Sequence, residues 1–269
     1  MQSIRFAFQK FIKITRPGIA YPVSGIIDFL VPPRCVNCNR LSAMQSGICA
    51  DCWQMIRFIE RPFCQIMGTP FSVDLGEDAV STQAIAHPPP FSRLRSAVLY
   101  DDIARHLISR FKFSDRNDLA PFIAGTMIRA GKELIEDADM IIPLPLHRRR
   151  LLARRFNQSA ELARIISKIV SSGHTYRKTR LPYRPMVLKR IRYTRQQIGL
   201  SQDGRRRNVA GAFMVEPRMR PEISGKRILL IDDVYTSGAS VKSATKALLR
   251  GGARFVDVLT FARVHSDTI

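Results

Sequence analysis

Asp232 and Asp233 stand side by side after the apolar run Ile228-Leu229-Leu230-Ile231, and Thr236-Ser237-Gly238-Ala239-Ser240 follow almost at once. These types in this order suit one kind of chemistry. Neighbouring carboxylates accept hydrogen bonds from the vicinal hydroxyls of a sugar. Small and hydroxyl-bearing residues let a backbone turn close around an anion, and the first turn of a helix offers unpaired N–H groups to it. Ligands of open α/β sheets bind just outside the carboxyl ends of the strands. The segment therefore predicts a phosphorylated ribose held at both ends. It lacks Gly-x4-Gly-Lys-Ser/Thr, so it is not a Walker A loop. An ordinary strand-to-helix turn is the competing reading. It suffices for an isolated Asp-Asp but not for the whole thirteen-residue segment.

A second constellation is Cys35-x2-Cys38-x10-Cys49-x2-Cys52. Each pair can place two sulfurs on one ion, and four thiolates complete a tetrahedral Zn²⁺ site with no position left for catalysis. Such a structural zinc would stand in for a core too small to hold the segment together. Cys64 is left over and reads as a buried thiol or spare ligand. Trp53, directly after the last knuckle, reads as packing on it, with base stacking as the alternative.

The elements that must position these groups follow from the pattern. Ser92 to Tyr100 reads as a strand, and Asp101-Asp102 caps a helix carrying Ile103, Leu107, Ile108 and Phe111 on one stripe. Leu119 to Ile135 reads as one amphipathic helix, Met140 to Leu146 as a strand, and Gln158 to Val170 as a helix. Arg227 to Asp232 reads as a strand whose interior, Ile228 to Ile231, is continuously apolar, as in a strand covered on both faces. Val241 to Arg250 is a helix stopped by Gly251-Gly252, and Phe255 to Val264 a last strand. This alternation predicts a parallel sheet with helices on both faces. No internal repeat is visible. The domains expected are a tail over 1–25, a zinc module over 26–75 and the α/β domain over 76–269.

The chain of 269 residues carries a net charge of +21. Leu146 to Arg220 holds 20 Lys or Arg against three acids, so +17 lies there. A solvated basic face is one reading. The other is a surface for polyanions, such as single-stranded nucleic acid, with Arg205, Arg206 and Arg207 as candidate contacts. No apolar run is long enough for a transmembrane helix, and no secretory leader is evident. A reducing, cytoplasmic location is the default expectation, where paired Cys-x2-Cys sets read as metal ligands.

Residues 228–240 resemble the 5-phosphoribosyl-1-pyrophosphate (PRPP) signature of type I phosphoribosyltransferases. Ile142-Pro143-Leu144-Pro145-Leu146-His147 with Arg148 to Arg150 resembles a narrower group, the ComF family of competence-related phosphoribosyltransferase-like proteins. So do Arg155-Phe156-Asn157-Gln158, Phe111-Lys112-Phe113, Arg195-Gln196-Gln197 and Arg207 to Phe213. The likeness runs over roughly 30 to 265. It departs at Ala153-Arg154-Arg155-Phe156, where the family usually has a glycine before the phenylalanine. The resemblance implies a type I phosphoribosyltransferase-like fold behind a small four-cysteine zinc module. Asp232 and Asp233 would be the catalytic pair that holds the ribose hydroxyls. Thr236, Ser237, Gly238, Ala239 and Ser240 would hold the 5′-phosphate. His147, Arg148 and Arg149 would meet the pyrophosphate, bridged by Mg²⁺, and Arg190 to Arg207 would close over the site. The implied reaction transfers phosphoribosyl to an acceptor the sequence does not reveal, in a protein serving DNA uptake beside other competence proteins such as an uptake helicase. A non-catalytic single-stranded nucleic-acid-binding factor and a PRPP sensor stay open.

Overall fold

The computed structural model describes residues 34–42, 47–113, 119–147, 156–172, 180–192 and 211–264. The expected tail over 1–25, Arg148, Arg149 and Arg205 to Arg207 lie outside these residues, as does most of the expected closing segment. In chain order the structure has helices α1 (Ala50–Met55) and α2 (Thr82–Ala86), strand β1 (Arg93–Leu99), and helices α3 (Asp102–Phe113), α4 (Leu119–Ala130) and α5 (Lys132–Asp137). Strand β2 (Met140–Pro143), helix α6 (Gln158–Ser171) and strands β3 (Leu188–Arg190) and β4 (Phe213–Val215) come next. The described chain ends with α7 (Arg220–Ile223), β5 (Arg227–Tyr235), α8 (Ala239–Arg250) and β6 (Phe255–Arg263).

Four strands form a parallel sheet in the order β1-β6-β5-β2, and β3 pairs antiparallel with β4. The apolar strands alternate, as period-2 side chains must. Ile141, Leu229, Ile231 and Leu259 pack under α3, α4 and α6. Ile142, Leu230, Val256 and Val258 pack under α8 and β4. Both faces are therefore covered, and each fully buried Leu, Ile or Phe contributes about 1.5–3 kcal/mol. The Asp101 carboxylate accepts from the Ala104 N–H (2.9 Å) and so starts α3 as expected.

Three boundaries differ from the sequence expectation. The helix predicted over 119–135 divides at Gly131, whose backbone leaves the helical region (φ −108°, ψ 25°) and which lies so close to Leu259 that a Cβ would come within 2.7 Å of its side chain. The strand predicted from Met140 to Leu146 ends at Pro143, the last residue paired to β5. Strand β5 runs on to Tyr235, because β6 continues beside it and pairs Asp232 with Thr260 and Val234 with Ala262. Asp232 and Asp233 are thus inside the strand, one step past the end of β2, and not in a loop beyond it. The cysteine region shares the main core. Val36 and Ile56 join the cluster under α3 and α4, and Cys64, Met67 and Ala84 join the other.

Candidate active site and metal centre

Where β2 stops, β5 leaves one edge open, and α8 begins above it. The chain turns into α8 through Gly238 at φ +71°, a left-handed conformation that favours glycine. A Cβ at Gly238 would also overlap the Tyr235 ring, which packs directly beneath the turn. No side chain caps α8, and its first helical bond runs from the Lys242 N–H to the Gly238 carbonyl (2.7 Å). The first N–H groups of a helix have no acceptor within the helix itself, and here they lie at the tip of α8. Asp232, Val234, Thr236, Gly238, Ala239, Ser240 and Val241 line a cavity of about 90 Å³ in front of it. That is room for several water-sized groups. The Ser237 hydroxyl is buried beside the cavity lining and has no hydrogen-bond partner among the described residues.

The two acids have different surroundings. Asp232 faces the cavity. Its Oδ1 accepts from the Ser159 hydroxyl (3.0 Å) and from the Asp233 N–H (2.9 Å). Burial, and then the neighbouring Asp233 charge, push its carboxyl up to about 7. Asp233 turns the other way and pairs with the Lys112 ammonium (2.5 Å), both groups being mostly shielded from solvent. Of the two acids expected to hold the ribose hydroxyls, one lines the cavity and the other anchors a lysine.

Residues far apart in sequence meet here. Phe111 packs edge-on against Phe156 (5.8 Å between ring centres), which brings α3 to the start of α6. Asn157 caps α6 by accepting from the Ser159 N–H (3.1 Å), and its amide donates to the Leu144 carbonyl (3.1 Å) at the end of β2. The same cap places Ser159 on Asp232. Lys112 and Ser159 are missing from the sequence-predicted site residues. Lys112 stands there only inside a family motif, and Ser159 only as part of a helix. His147 is half-buried at the end of the described segment after β2. Part of the basic belt is structural, since Arg164 pairs with Glu161, Arg184 with Glu222 and Lys189 with Glu216.

The four sulfurs of Cys35, Cys38, Cys49 and Cys52 all lie within 4.8 Å of one another. Cys38 and Cys49 are 3.6 Å apart. Tetrahedral Zn–S bonds of about 2.3 Å would separate sulfurs by about 3.8 Å, so the cluster fits zinc. The Cys49 N–H (3.3 Å) donates to Cys35 and the Asn37 amide (3.2 Å) to Cys52, as suits thiolates. Burial raises Cys35, but N–H groups of Cys49, Cys38 and Asn37 outweigh it and hold the thiol at about 6, whereas burial pushes the Cys52 thiol of the same cluster up to about 12. This is a structural zinc site. Trp53 packs on Phe58 (4.8 Å) and edge-on to Phe122 (6.1 Å), which makes it a wedge between the module and α4. No helix among the described residues is long and apolar enough to cross a membrane.

Residues 26–85 match the double zinc ribbon domain family, and residues 161–269 match the phosphoribosyl transferase domain family. The DNA utilization protein YhgH of Escherichia coli O157:H7 is 29% identical over 242 residues, covering 87% of this chain and 98% of that protein. Competence protein F of Haemophilus influenzae is 25% identical over 236 residues, covering 86% and 96%. Among solved structures, the glutamine PRPP amidotransferase from B. subtilis complexed with ADP and GMP aligns with a TM-score of 0.35 and 21% identity, over 55% of this chain and 29% of that enzyme.

Proposed function

From the premise that this chain is a homologue of the competence and DNA-utilization proteins, joining a zinc ribbon to a phosphoribosyltransferase domain, we propose that it binds PRPP and transfers its phosphoribosyl group in the service of DNA uptake. The observation that carries this is the uncapped tip of α8 opening, together with Asp232, into one cavity. The 5′-phosphate sits on the N–H groups of residues 239–241 and on the hydroxyls of Thr236, Ser237 and Ser240. A dianion is well placed there, since a helix N-terminus carries about half a positive charge. The ribose hydroxyls donate to Asp232. Ser159 and the Asp233 N–H hold that carboxylate in place, and Lys112 holds the strand through Asp233. The zinc-ribbon module is taken to run to residue 85, past the expected boundary at 75, with the phosphoribosyltransferase module after it, in a cytoplasmic protein whose thiols stay reduced.

In the reaction the bond between C1 and the pyrophosphate oxygen breaks, with its electrons leaving on pyrophosphate. A nucleophile then bonds to C1. The chain contributes position and charge more than proton transfer. Arg148, Arg149 and His147 face the leaving group in this reading. Mg²⁺ suits the site only as a companion of the substrate, because Asp233 is already paired and Asp232 resists ionisation. The hydrated ion would ride on pyrophosphate oxygens. The direct test is pyrophosphate release from PRPP and Mg²⁺ across a panel of nucleobase-like acceptors. Release that Asp232→Asn abolishes supports transfer. PRPP binding without release for any acceptor reduces the protein to a PRPP sensor.

The +17 carried by Leu146 to Arg220 favours a second role, binding single-stranded DNA. Replacing Arg205, Arg206 and Arg207 with Ala should flatten the dependence of log K on log salt by about 2, at roughly 0.7 per phosphate contact on single strands. An unchanged slope would remove those arginines from the interface.

A further inference from the structure

The region after the zinc site repeats it. Arg34 bridges to Leu41, and Phe63 bridges to Pro70. The Cys35 N–H donates to the Arg40 carbonyl (2.7 Å), and the Cys64 N–H to the Thr69 carbonyl (2.8 Å). The Asn39 N–H returns to the Cys35 carbonyl (2.9 Å), and the Gly68 N–H to the Cys64 carbonyl (2.7 Å). Asn39 and Gly68 share a left-handed conformation, with φ of 63° and 59°. The match continues in the second half of each unit. The Val36 N–H donates to the Gly47 carbonyl (3.1 Å) and the Gln65 N–H to the Ala79 carbonyl (2.9 Å). The Cys49 N–H donates to the Cys35 sulfur, and the Ser81 N–H to the Cys64 sulfur, both at 3.3 Å. Cys49 precedes α1 as Ser81 precedes α2. The expectation of no internal repeat is corrected by this correspondence.

The correspondence identifies what occupies each ligand position in the copy. Cys64 stands for Cys35, Met67 for Cys38, Ser81 for Cys49 and Ala84 for Cys52. We propose that residues 63–86 are a second zinc knuckle that has lost its metal, so that this chain holds one zinc and not the two that a double zinc ribbon implies. Ala84 has no donor atom, and the Ser81 hydroxyl is spent accepting from the Ala84 N–H (3.4 Å) as the cap of α2. One thiol and one thioether do not hold Zn²⁺, which wants four strong N, S or O ligands.

Docking on the sheet replaces the ion. Three successive carbonyls of the copy are each held from the sheet. Gln65 accepts from Arg95 (2.9 Å), Ile66 from the Leu94 N–H (2.8 Å) and Met67 from Arg263. Both arginines are buried. Cys64, Met67 and Ala84 are buried as well and sit in the core with Phe91 and Leu94. The vacated ligand positions thus became packing positions, with Met67 filling space as a flexible thioether does. The first knuckle keeps its metal where its outer cysteine, Cys38, is exposed.

The test is metal stoichiometry with the copy rebuilt. The native chain should contain one zinc, and Cys64→Ala should stay folded with one zinc. The triple variant M67C/S81C/A84C should bind a second ion. Loaded with Co²⁺, it should show about twice the thiolate charge-transfer absorbance of the native chain, as two tetrahedral sites require. Two zinc ions in the native chain, dropping to one in Cys64→Ala, would overturn the proposal. So would a folded triple variant that still binds one. If the triple variant does not fold, the native and Cys64→Ala counts decide alone.

Discussion

Asp232→Asn is predicted to stabilise the fold while removing its ligand, and the effect should grow with pH. The substitution keeps the geometry, since an amide oxygen can still accept from Ser159 and from the Asp233 N–H. It removes only the charge. Burial and the adjacent Asp233 raise the Asp232 carboxyl to about 7, against roughly 4 in an unfolded chain. The folded form therefore holds a proton that the unfolded form releases between those values, and stability falls as pH rises through the window. Below about 4 both forms are protonated and the penalty is absent. Above about 7 it is complete, at about 1.4 kcal/mol for each pH step in between, or roughly 4 kcal/mol in full. Solvent in the cavity reduces this to about 2–4 kcal/mol. Urea unfolding of both proteins at pH 5 and pH 8 reads it directly. Two of the three pH units of the window lie between these values, so the advantage of the variant should widen by about 1–3 kcal/mol. An advantage that is constant or shrinks toward pH 8 would refute a desolvated Asp232. If the advantage does widen, the native acid is a cost retained for binding, a trade of stability for function.

Gly238→Ala should cost about 1–3 kcal/mol through its left-handed backbone. It should weaken phosphate binding further by displacing Tyr235, and calorimetry with ribose 5-phosphate checks both the lost heat and the lower melting point. Lys112→Met leaves Asp233 shielded and unpaired, which costs about 3–5 kcal/mol when a buried partner is removed. Chemical unfolding measures it, and Lys112→Arg should recover most of the loss. Stripping metal with a chelator should unfold residues around Cys35 to Cys52 and release Trp53 from Phe58 and Phe122. A tryptophan emission shift to the red reports this, and an unchanged spectrum in metal-free protein would argue against a structural ion.

The local parts of the site were legible because they are contiguous. Ile228 to Ser240 runs strand, turn and helix in one stretch, and each residue type fits its place. The Cys-x2-Cys spacing was legible because four thiolates on one ion require it. What escaped was long-range. Nothing in Phe111-Lys112-Phe113 says that the lysine crosses to Asp233, and nothing before Ser159 says that its hydroxyl meets Asp232. Only packing of α3 and α6 on one face of the sheet brings them there. The extension of β5 to Tyr235 depended on β6 continuing beside it, a property of the pair and not of either strand. The knuckle repeat was hidden because Cys64 alone survives from the ligand set, while hydrogen bonds carry the rest of the likeness.

The most direct test of the proposed phosphoribosyl site is titration calorimetry of PRPP with Mg²⁺ into the native chain and into the Asp232→Asn, Asp233→Asn double variant. Saturable binding to the native chain, lost in a double variant that remains folded, is the predicted result. Equal affinity for both proteins would contradict it.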